Sequence, residues 1–101
     1  MGLFVYNKAM YWFVYVLISL KDKQFYIGSS NDLKTRLYQH NHKGNKSTAN
    51  RAPFKLLYFE GHRSKTDAIR RETYFKTTKG KVTLRAMIRD GLGEFLDQLA
   101  E

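Results

Sequence analysis

Two apolar segments joined by a short polar turn constrain the fold of this chain most strongly. Residues 10–20 (MYWFVYVLISL) are apolar except for one serine, and aromatic and β-branched side chains dominate them. A run of 11 residues is too short for a membrane-spanning helix, which needs about 20. We therefore expect a buried strand at residues 11–20 and a turn at residues 21–24. A second strand at residues 25–27, ended by Gly28, completes a hairpin.

The hairpin is followed by the signals of a helix and a third strand. Residues 29–32 (SSND) offer N-cap chemistry, so a helix is expected to run to about His40 with Leu33 and Leu37 on its core side. Residues 41–53 form a polar loop. An apolar segment at residues 54–59 then predicts the third strand, with a proline at its entrance.

The remainder of the chain reads as helical. A variant of the capping box, Ser64 to Asp67, predicts a helix over about residues 65–79 with Gly80 as its C-cap. A further helix is expected at residues 82–89, interrupted by two glycines. Apolar residues at helical spacing then predict a last short amphipathic helix, through Leu92, Phe95, Leu96 and Leu99.

The order β-β-α-β-α-α predicts an α+β fold, a small three-stranded antiparallel sheet flanked by helices. A length of 101 residues fits a single domain over residues 1–101. We place its motif-bearing core at about residues 11–85 and a C-terminal helical extension at residues 86–101.

The positive charge is concentrated in the middle of the chain. The formal net charge is +9, and residues 33–85 carry 14 Lys and Arg against three Asp and Glu, a net of +11. Such a block predicts a polyanionic partner, although a solubilising surface is the plainer alternative. With 43% hydrophobic residues the chain can form a core, which excludes a disordered basic tail.

The absence of cysteine narrows the chemistry further. The chain has no Cys, which excludes disulfides, thiolate metal sites and a cysteine nucleophile. This composition fits a reducing compartment, and we predict a cytoplasmic location with no membrane partner.

Five chemically active side chains occur in a recognisable order. Tyr15 follows Val14 in the first strand, and Tyr26 begins the sequence Tyr-Ile-Gly-Ser in the second, with ten residues between the two tyrosines. Arg36 and His40 are four residues apart and so share one helix face. Glu72 is the only acid between Asp67 and Asp90.

With these residues the sequence resembles the GIY-YIG nuclease family, in particular its small single-domain members. The second motif is matched outright, whereas Phe13 replaces the glycine of the first. Larger members also supply a late asparagine, and this sequence has no Asn after Asn50. Lys76 or Lys79 is expected to fill that space.

The resemblance implies a metal-dependent endonuclease that hydrolyses DNA phosphodiester bonds, in a process such as DNA repair. Tyr15 would take a proton from the attacking water, with its pKa depressed by Arg36 and a bound cation. Tyr26 would position the water or phosphate, and Arg36 would stabilise the charge that develops on the phosphate. His40 would orient the nucleophile or relay its proton, and Glu72 would hold Mg²⁺ or Mn²⁺.

Each of these residues also has a purely structural interpretation. Tyr15 alone would be a core aromatic, and Arg36 alone a solvated side chain. His40 would be a helix C-terminal residue favoured by the dipole, and Glu72 a surface carboxylate paired with Lys76 at i+4. We expect instead that Ile69 and Phe75 turn Glu72 toward the packed side of its helix.

Several further residues are expected to contact nucleic acid without reading its sequence. We predict such contacts for Gly28, Ser29, Lys34, Lys43, Lys46, Arg51, Arg70, Lys76 and Lys79, with Ser47 and Thr48 as hydroxyl donors to the phosphodiester. No second DNA-reading module is visible, which favours structure-selective or nonspecific cleavage, or recruitment by a protein partner. Two alternatives stay open: an inactive nucleic-acid-binding module, and a basic RNA- or ribosome-associated protein.

Overall fold

The computed structural model describes residues 10–42 and 48–100 of the chain. A three-stranded antiparallel sheet is flanked by helices, which confirms the predicted α+β class. The last amphipathic helix, expected through Leu92, Phe95, Leu96 and Leu99, is present as a fourth helix. The elements are β1 (Trp12–Ser19), β2 (Phe25–Ser30), α1 (Leu33–Asn41), a short 3₁₀ helix (Ala49–Arg51), β3 (Phe54–His62), α2 (Lys65–Phe75), α3 (Thr78–Met87) and α4 (Arg89–Ala100).

The sheet has the strand order β2-β1-β3, with both pairs antiparallel. Tyr15 in the central strand lies opposite Gly28 of β2 and Phe59 of β3. This register places the first tyrosine of the motif beside the glycine of the second. A bulge between Val16 and Leu17 shifts the pairing with β3.

Alternate residues of β1 supply two separate cores, because successive side chains of a strand point to opposite faces. Val14 and Val16 join the core formed with the later helices, which buries Ala68, Phe75, Leu84 and Ile88. Tyr15 and Leu17 pack with Phe54 on the other face, where Leu33 and Leu37 of α1 also lie. The predicted core side of α1 is therefore confirmed. The central strand is buried on both faces, as its continuous apolar sequence indicates.

Helix α1 begins where the capping signal predicts. The side chain of Asp32 accepts a hydrogen bond from the Thr35 backbone N–H at 3.2 Å, and another from the Thr35 hydroxyl at 2.8 Å. This cap satisfies one of the orphan N–H groups of the first turn. It fixes the start of the helix that carries Arg36 and His40.

Two strand boundaries differ from the prediction. Gly28 does not end β2, which continues to Ser30, because the backbone of Gly28 and Ser29 stays paired with β1. Strand β3 also extends beyond residue 59, to His62, since its pairing continues to Trp12. The sequence did not indicate these extensions, because glycine is common in turns and residues 60–62 are mostly polar.

The prediction of Gly80 as a C-cap was wrong. Helix α2 ends at Phe75, and Thr77 caps α3 by accepting a hydrogen bond from the Gly80 backbone N–H at 2.9 Å. A Cβ at position 80 would lie 1.7 Å from the Tyr74 carbonyl oxygen, so the glycine is needed where α3 crosses the end of α2. Close packing, and not a left-handed cap, explains this residue.

The two glycines after α3 do not interrupt a helix as expected. Helix α4 begins at Arg89 and passes through Gly91 and Gly93, where an added Cβ would meet no atom within 4 Å. In the portion of the chain that the structure describes, no helix is both long and apolar enough to cross a membrane.

Candidate active site

Tyr15 is the buried centre of the candidate site. Its side chain is 2% exposed, and its hydroxyl oxygen lies 2.9 Å from Nε2 of His40. The ring of Tyr26 is stacked against it, with ring centroids 6.4 Å apart, and lies 4.6 Å from the His40 ring centroid. Two strands and α1 thus bring three predicted site residues into mutual contact.

Gly28 makes room for the phenol of Tyr15. A Cβ at position 28 would lie 2.6 Å from the Tyr15 hydroxyl oxygen and 3.2 Å from the Tyr26 ring. Separations below 3.0 Å force a side chain to move. The glycine of the second motif therefore allows the tyrosine hydroxyl to lie across the neighbouring strand, a role that the sequence analysis did not assign to it.

His40 is held from both sides of its ring. It is fully buried, and its Nδ1 lies 2.9 Å from Oγ1 of Thr48, which is also fully buried. Burial, together with the nearby positive charge of Arg36, lowers the pKa of His40 to about 4. The imidazole is therefore neutral at pH 7, with one ring nitrogen protonated and the other free to accept.

The Tyr15 pKa is raised and not depressed as expected. Burial, reinforced by the neighbouring Tyr26, raises the pKa of Tyr15 to about 12. Arg36 acts in the predicted direction and lowers it, while the carboxylate of Glu72 raises it. Desolvation outweighs Arg36, so Tyr15 is a neutral phenol here.

Arg36 projects from α1 on the same side as His40. Its Nη1 donates to Oε1 of Gln39 at 3.2 Å. Its Nε is one of two buried side-chain nitrogens without a hydrogen-bond partner in the described part of the chain, the other being Nε1 of Trp12. A buried guanidinium N–H left unpaired is unfavourable, and an incoming phosphate oxygen would satisfy it.

Glu72 reaches the site from α2. Its Oε1 accepts a hydrogen bond from the Ser29 hydroxyl at 2.6 Å, and its Oε2 forms an ion pair with Nζ of Lys76 at 2.7 Å. The side chain is 20% exposed. Phe75 is buried as expected, but Ile69 is exposed. Apolar neighbours therefore do not enclose Glu72 on both sides, and the hydrogen bond from Ser29 orients its carboxylate.

The five predicted catalytic residues lie around strand β2. Tyr15, Tyr26, Arg36 and His40 lie on the α1 side of the sheet, and Glu72 approaches from the α2 side through Ser29, the neighbour of Gly28. Glu72 and Arg36 are both close enough to Tyr15 to shift its pKa. The pKa of Tyr15 thus depends on both the Arg36 guanidinium and the Glu72 carboxylate, which are 36 residues apart in the chain.

The structure places the predicted nucleic-acid contacts in different surroundings. Lys34, Arg70 and Lys79 are exposed, whereas Ser29 and Lys76 are bonded to Glu72. Arg51 binds the hairpin turn, where its Nε lies 2.7 Å from Oδ2 of Asp22. Thr48 was expected to contact the phosphodiester, but it is buried against His40 and cannot reach one. Three other predicted residues lie outside the described part of the chain, namely Lys43, Lys46 and Ser47.

The donors at Glu72 fit one kind of metal ion. Among residues 10–42 and 48–100, no group of three or more His, Cys, Asp or Glu side chains is arranged to hold a metal. A single, oriented carboxylate suits Mg²⁺ or Mn²⁺, which retain waters and take phosphate oxygens as further ligands. The same carboxylate would be insufficient for zinc, which needs three or four protein ligands.

Two partners of the site were not identified from the sequence in their observed roles. Ser29 was assigned to nucleic acid, but it orients Glu72; Thr48 was assigned to phosphate, but it supports His40. The position of Ser29 directly after the second motif was a weak indication of its contact with Glu72. No sequence signal indicated the second, because it depends on the path of the loop after α1.

Comparison with known proteins identifies a family and several relatives. The GIY-YIG catalytic domain family matches residues 11–85. The chain is 45% identical over 74 residues to the UPF0213 protein SAG0778 of Streptococcus agalactiae, covering 70% of this chain and 83% of that protein. It is 43% identical over 68 residues to the UPF0213 protein spr1390 of Streptococcus pneumoniae, covering 66% and 68%.

A solved structure is also similar in sequence. The solution NMR structure of the UPF0213 protein BH0048 from Bacillus halodurans is 33% identical, covers 77% of this chain and 85% of that chain, and has a TM-score of 0.49. The matched range, residues 11–85, spans Tyr15, Tyr26, Arg36, His40 and Glu72. Because the family model matches residues 11–85, the chain belongs to the GIY-YIG catalytic domain family.

Proposed function

We propose that this protein is a divalent-metal-dependent endonuclease that hydrolyses DNA phosphodiester bonds. The observation that carries the proposal is the buried contact between Tyr15 and His40, 2.9 Å long, within electrostatic reach of both Arg36 and Glu72. A tyrosine and a histidine buried only for packing would not require a neighbouring guanidinium with an unpaired Nε.

Tyr15 and His40 supply the path for the proton of the attacking water. In the tautomer in which Nδ1–H donates to Thr48, Nε2 accepts from the Tyr15 hydroxyl. As water attacks phosphorus, it gives its proton to the Tyr15 oxygen, and the phenolic proton moves to Nε2 of His40. The negative phosphate favours the imidazolium that results, which offsets the low pKa of His40 in the free protein.

Arg36 binds the phosphate that is attacked. Its guanidinium, whose Nε has no partner in the described part of the chain, would move to donate to a non-bridging oxygen, where negative charge increases during the reaction. The contact to Gln39 leaves the guanidinium partly restrained and so limits the entropy lost when substrate binds. Tyr26, packed on His40, positions the water beside Tyr15.

Glu72 is the protein ligand for the metal ion. When bound, Mg²⁺ or Mn²⁺ supplies electrostatic stabilisation of the leaving oxygen. Ser29 fixes the carboxylate, and Lys76 must release Oε2 or share it when a cation binds. Products are expected to carry 5′-phosphate and 3′-hydroxyl ends.

The substrate is proposed to be DNA recognised by shape and charge, with low sequence specificity. Exposed Lys34, Arg70 and Lys79 supply phosphate contacts, which position DNA without reading bases. A role in DNA repair, a protein partner for targeting and a cytoplasmic location stay predictions from the sequence. The inactive binding module and the RNA-associated protein are alternative outcomes of the experiment below.

A substrate panel tests the proposal. Purified protein is incubated with linear, supercoiled, flapped and four-way DNA, in Mg²⁺ or Mn²⁺, with EDTA as the control. Cleavage is expected in metal and must stop in EDTA. It must also be lost in Arg36→Ala, while DNA binding stays largely intact because the exposed basic residues still contact the phosphates. Tight DNA binding with no cleavage of any substrate would instead support the binding module. Cleavage or binding of RNA alone would support the third alternative.

A further inference from the structure

A second stripe of side chains, which the catalytic site does not use, follows helix α1 and ends at its C-cap residue, His42. Lys34, Tyr38 and His42 follow one another at intervals of four residues and are all exposed. Residues four apart share a helix face, so this stripe lies on the outside of the helix that presents Arg36 and His40 inward. The side chain of Tyr38 is 62% exposed.

Tyr38 and His42 form an ordered stack. Their ring centroids are 3.9 Å apart and their planes differ by only 14°. Nδ1 of His42 donates to the Tyr38 carbonyl oxygen at 2.8 Å, since that oxygen can only accept. One face of the Tyr38 ring is therefore covered by an imidazole held in place, and 62% of the side chain stays exposed.

An exposed, pre-ordered aromatic ring is suited to a base whose own faces are free. Proteins that bind single strands stack successive bases on aromatic side chains and track the phosphates with basic ones. The bases of an intact duplex are already stacked on their neighbours, so they cannot use such a surface. Because His42 already restrains the ring, stacking costs little further side-chain entropy.

The charge around the stripe favours nucleic acid over an apolar protein partner. No Asp or Glu occurs between Asp32 and Glu60, whereas six Lys and Arg do. Lys34 lies one helical turn before Tyr38, where its ammonium can reach the phosphate next to a stacked base. An α-helix is about 10 Å across, so a strand leaving the catalytic side needs only a few nucleotides to reach this stripe.

We propose that the outer stripe of α1, formed by Lys34, Tyr38 and His42, binds single-stranded DNA beside the cleavage position by stacking an unpaired base on Tyr38. The inference rests on the proposed function in taking DNA as the substrate. It adds a substrate class, namely DNA with a single-stranded or unpaired segment next to the cut.

Binding measured without metal tests this stripe separately from catalysis. Fluorescence anisotropy in EDTA compares the full chain and its Tyr38→Ala variant on a labelled single-stranded oligodeoxynucleotide, the same sequence as a blunt duplex, and an RNA strand of that sequence. Tyr38→Ala is expected to weaken single-stranded DNA binding by about 5- to 100-fold and to leave duplex binding unchanged. Tyr38→Phe, which keeps the ring, should bind like the wild type.

Val82→Ala is the matched control, because Val82 is an equally accessible apolar side chain on α3, 68% exposed. A 2-aminopurine in the single strand should lose fluorescence on binding the wild type, and less on binding Tyr38→Ala. The proposal would be overturned if Tyr38→Ala lost equal affinity for duplex and single strand, or lost none for either. It would also be overturned if only RNA binding depended on Tyr38, or if the wild type did not bind single-stranded DNA. Absence of cleavage would contradict the proposed function but would not change these binding results.

Discussion

The hydroxyl of Tyr15 and Nε2 of His40 are 2.9 Å apart, although 25 residues separate them in the chain, and both side chains are buried. Strand β1 supplies one partner and the last turn of α1 the other. Burial keeps the phenol protonated and the imidazole neutral, so the Tyr15 hydroxyl can donate to Nε2 of His40. In the proposed mechanism, the bound phosphate has to favour the imidazolium before the proton moves from tyrosine to histidine.

Thr48→Val tests whether the hydrogen bond between Thr48 and His40 sets the direction of proton transfer from Tyr15 to His40. Valine keeps the size of threonine but removes the hydroxyl that lies 2.9 Å from Nδ1. We expect the cleavage rate to fall by roughly 10- to 100-fold and the pH–rate profile to shift, because the ring loses the partner that selects its tautomer. Single-turnover cleavage from pH 5 to pH 9 measures both effects.

Thr48→Ser is the control for that substitution, since it keeps the hydroxyl and should keep the wild-type profile. A lower rate in Thr48→Val with an unshifted profile would indicate a merely structural role for Thr48.

His40 also makes the stability of the fold depend on pH. Its pKa falls from 6.5 to about 4 in the folded protein, so between those values the unfolded chain binds more protons. The free energy of unfolding should therefore fall as the pH decreases from about 6.5 to about 4, by an amount on the order of 1.4 kcal/mol for each unit of pKa shift. Urea titrations across this range measure the slope.

The matched variant for this measurement is His40→Gln, which has no titrating ring. Its unfolding free energy should show a smaller dependence on pH in the same window. An identical slope in the two proteins would show that other groups are responsible.

Gly28→Ala should separate Tyr15 from its partner. The added Cβ would lie 2.6 Å from the Tyr15 hydroxyl, so the phenol has to move away from His40. We expect a stability loss of roughly 1–3 kcal/mol from overpacking, with a large loss of cleavage. Thermal unfolding and cleavage assays measure the two effects.

Gly61→Ala is the comparison for Gly28→Ala, because its Cβ would lie 3.3 Å from the Phe13 ring and would not meet the candidate site. It should retain cleavage. Wild-type activity in Gly28→Ala would contradict the assigned position of the Tyr15 hydroxyl.

Ser29→Ala tests the support of the metal ligand. Without the 2.6 Å hydrogen bond to Oε1, the Glu72 carboxylate is less well oriented for a cation. The Mg²⁺ concentration for half-maximal cleavage should rise by roughly 10- to 100-fold, and excess metal should restore part of the rate. Ser29→Thr keeps the hydroxyl and should need the same Mg²⁺ concentration as the wild type. An unchanged Mg²⁺ requirement in Ser29→Ala would show that Ser29 does not orient Glu72 for the metal.

The sequence was sufficient for the parts of the fold that depend on local chemistry. The apolar run of β1, the Asp32 cap of α1 and the side of α1 that carries Leu33 and Leu37 are all found as predicted. Gly80 was misassigned because its role is a close approach between α2 and α3, which leaves no local signal.

The sequence proposed the members of the candidate site but not the contacts between them. Ordered spacing and the family resemblance were enough to propose Tyr15, Tyr26, Arg36, His40 and Glu72. The pKa of Tyr15 was expected to fall, but burial raises it, since desolvation depends on packing that a sequence does not display. Thr48 and Ser29 took unexpected roles for the same reason: their partners are distant in the chain.

Single-turnover cleavage by Glu72→Gln tests the metal-dependent site most directly. The amide keeps the shape of the side chain and can still meet Ser29, but it loses the charge that binds a cation. Asp67→Asn, at the other acid of α2, is the control, because its carboxylate is exposed and pairs with Arg70 at 2.9 Å. On a DNA substrate that the wild type cleaves in Mg²⁺, we predict a rate at least roughly 100-fold lower for Glu72→Gln, with unchanged DNA binding, and a near wild-type rate for Asp67→Asn. Wild-type cleavage by Glu72→Gln at the same metal concentration would contradict the assignment of Glu72 as the metal ligand and with it the proposed mechanism.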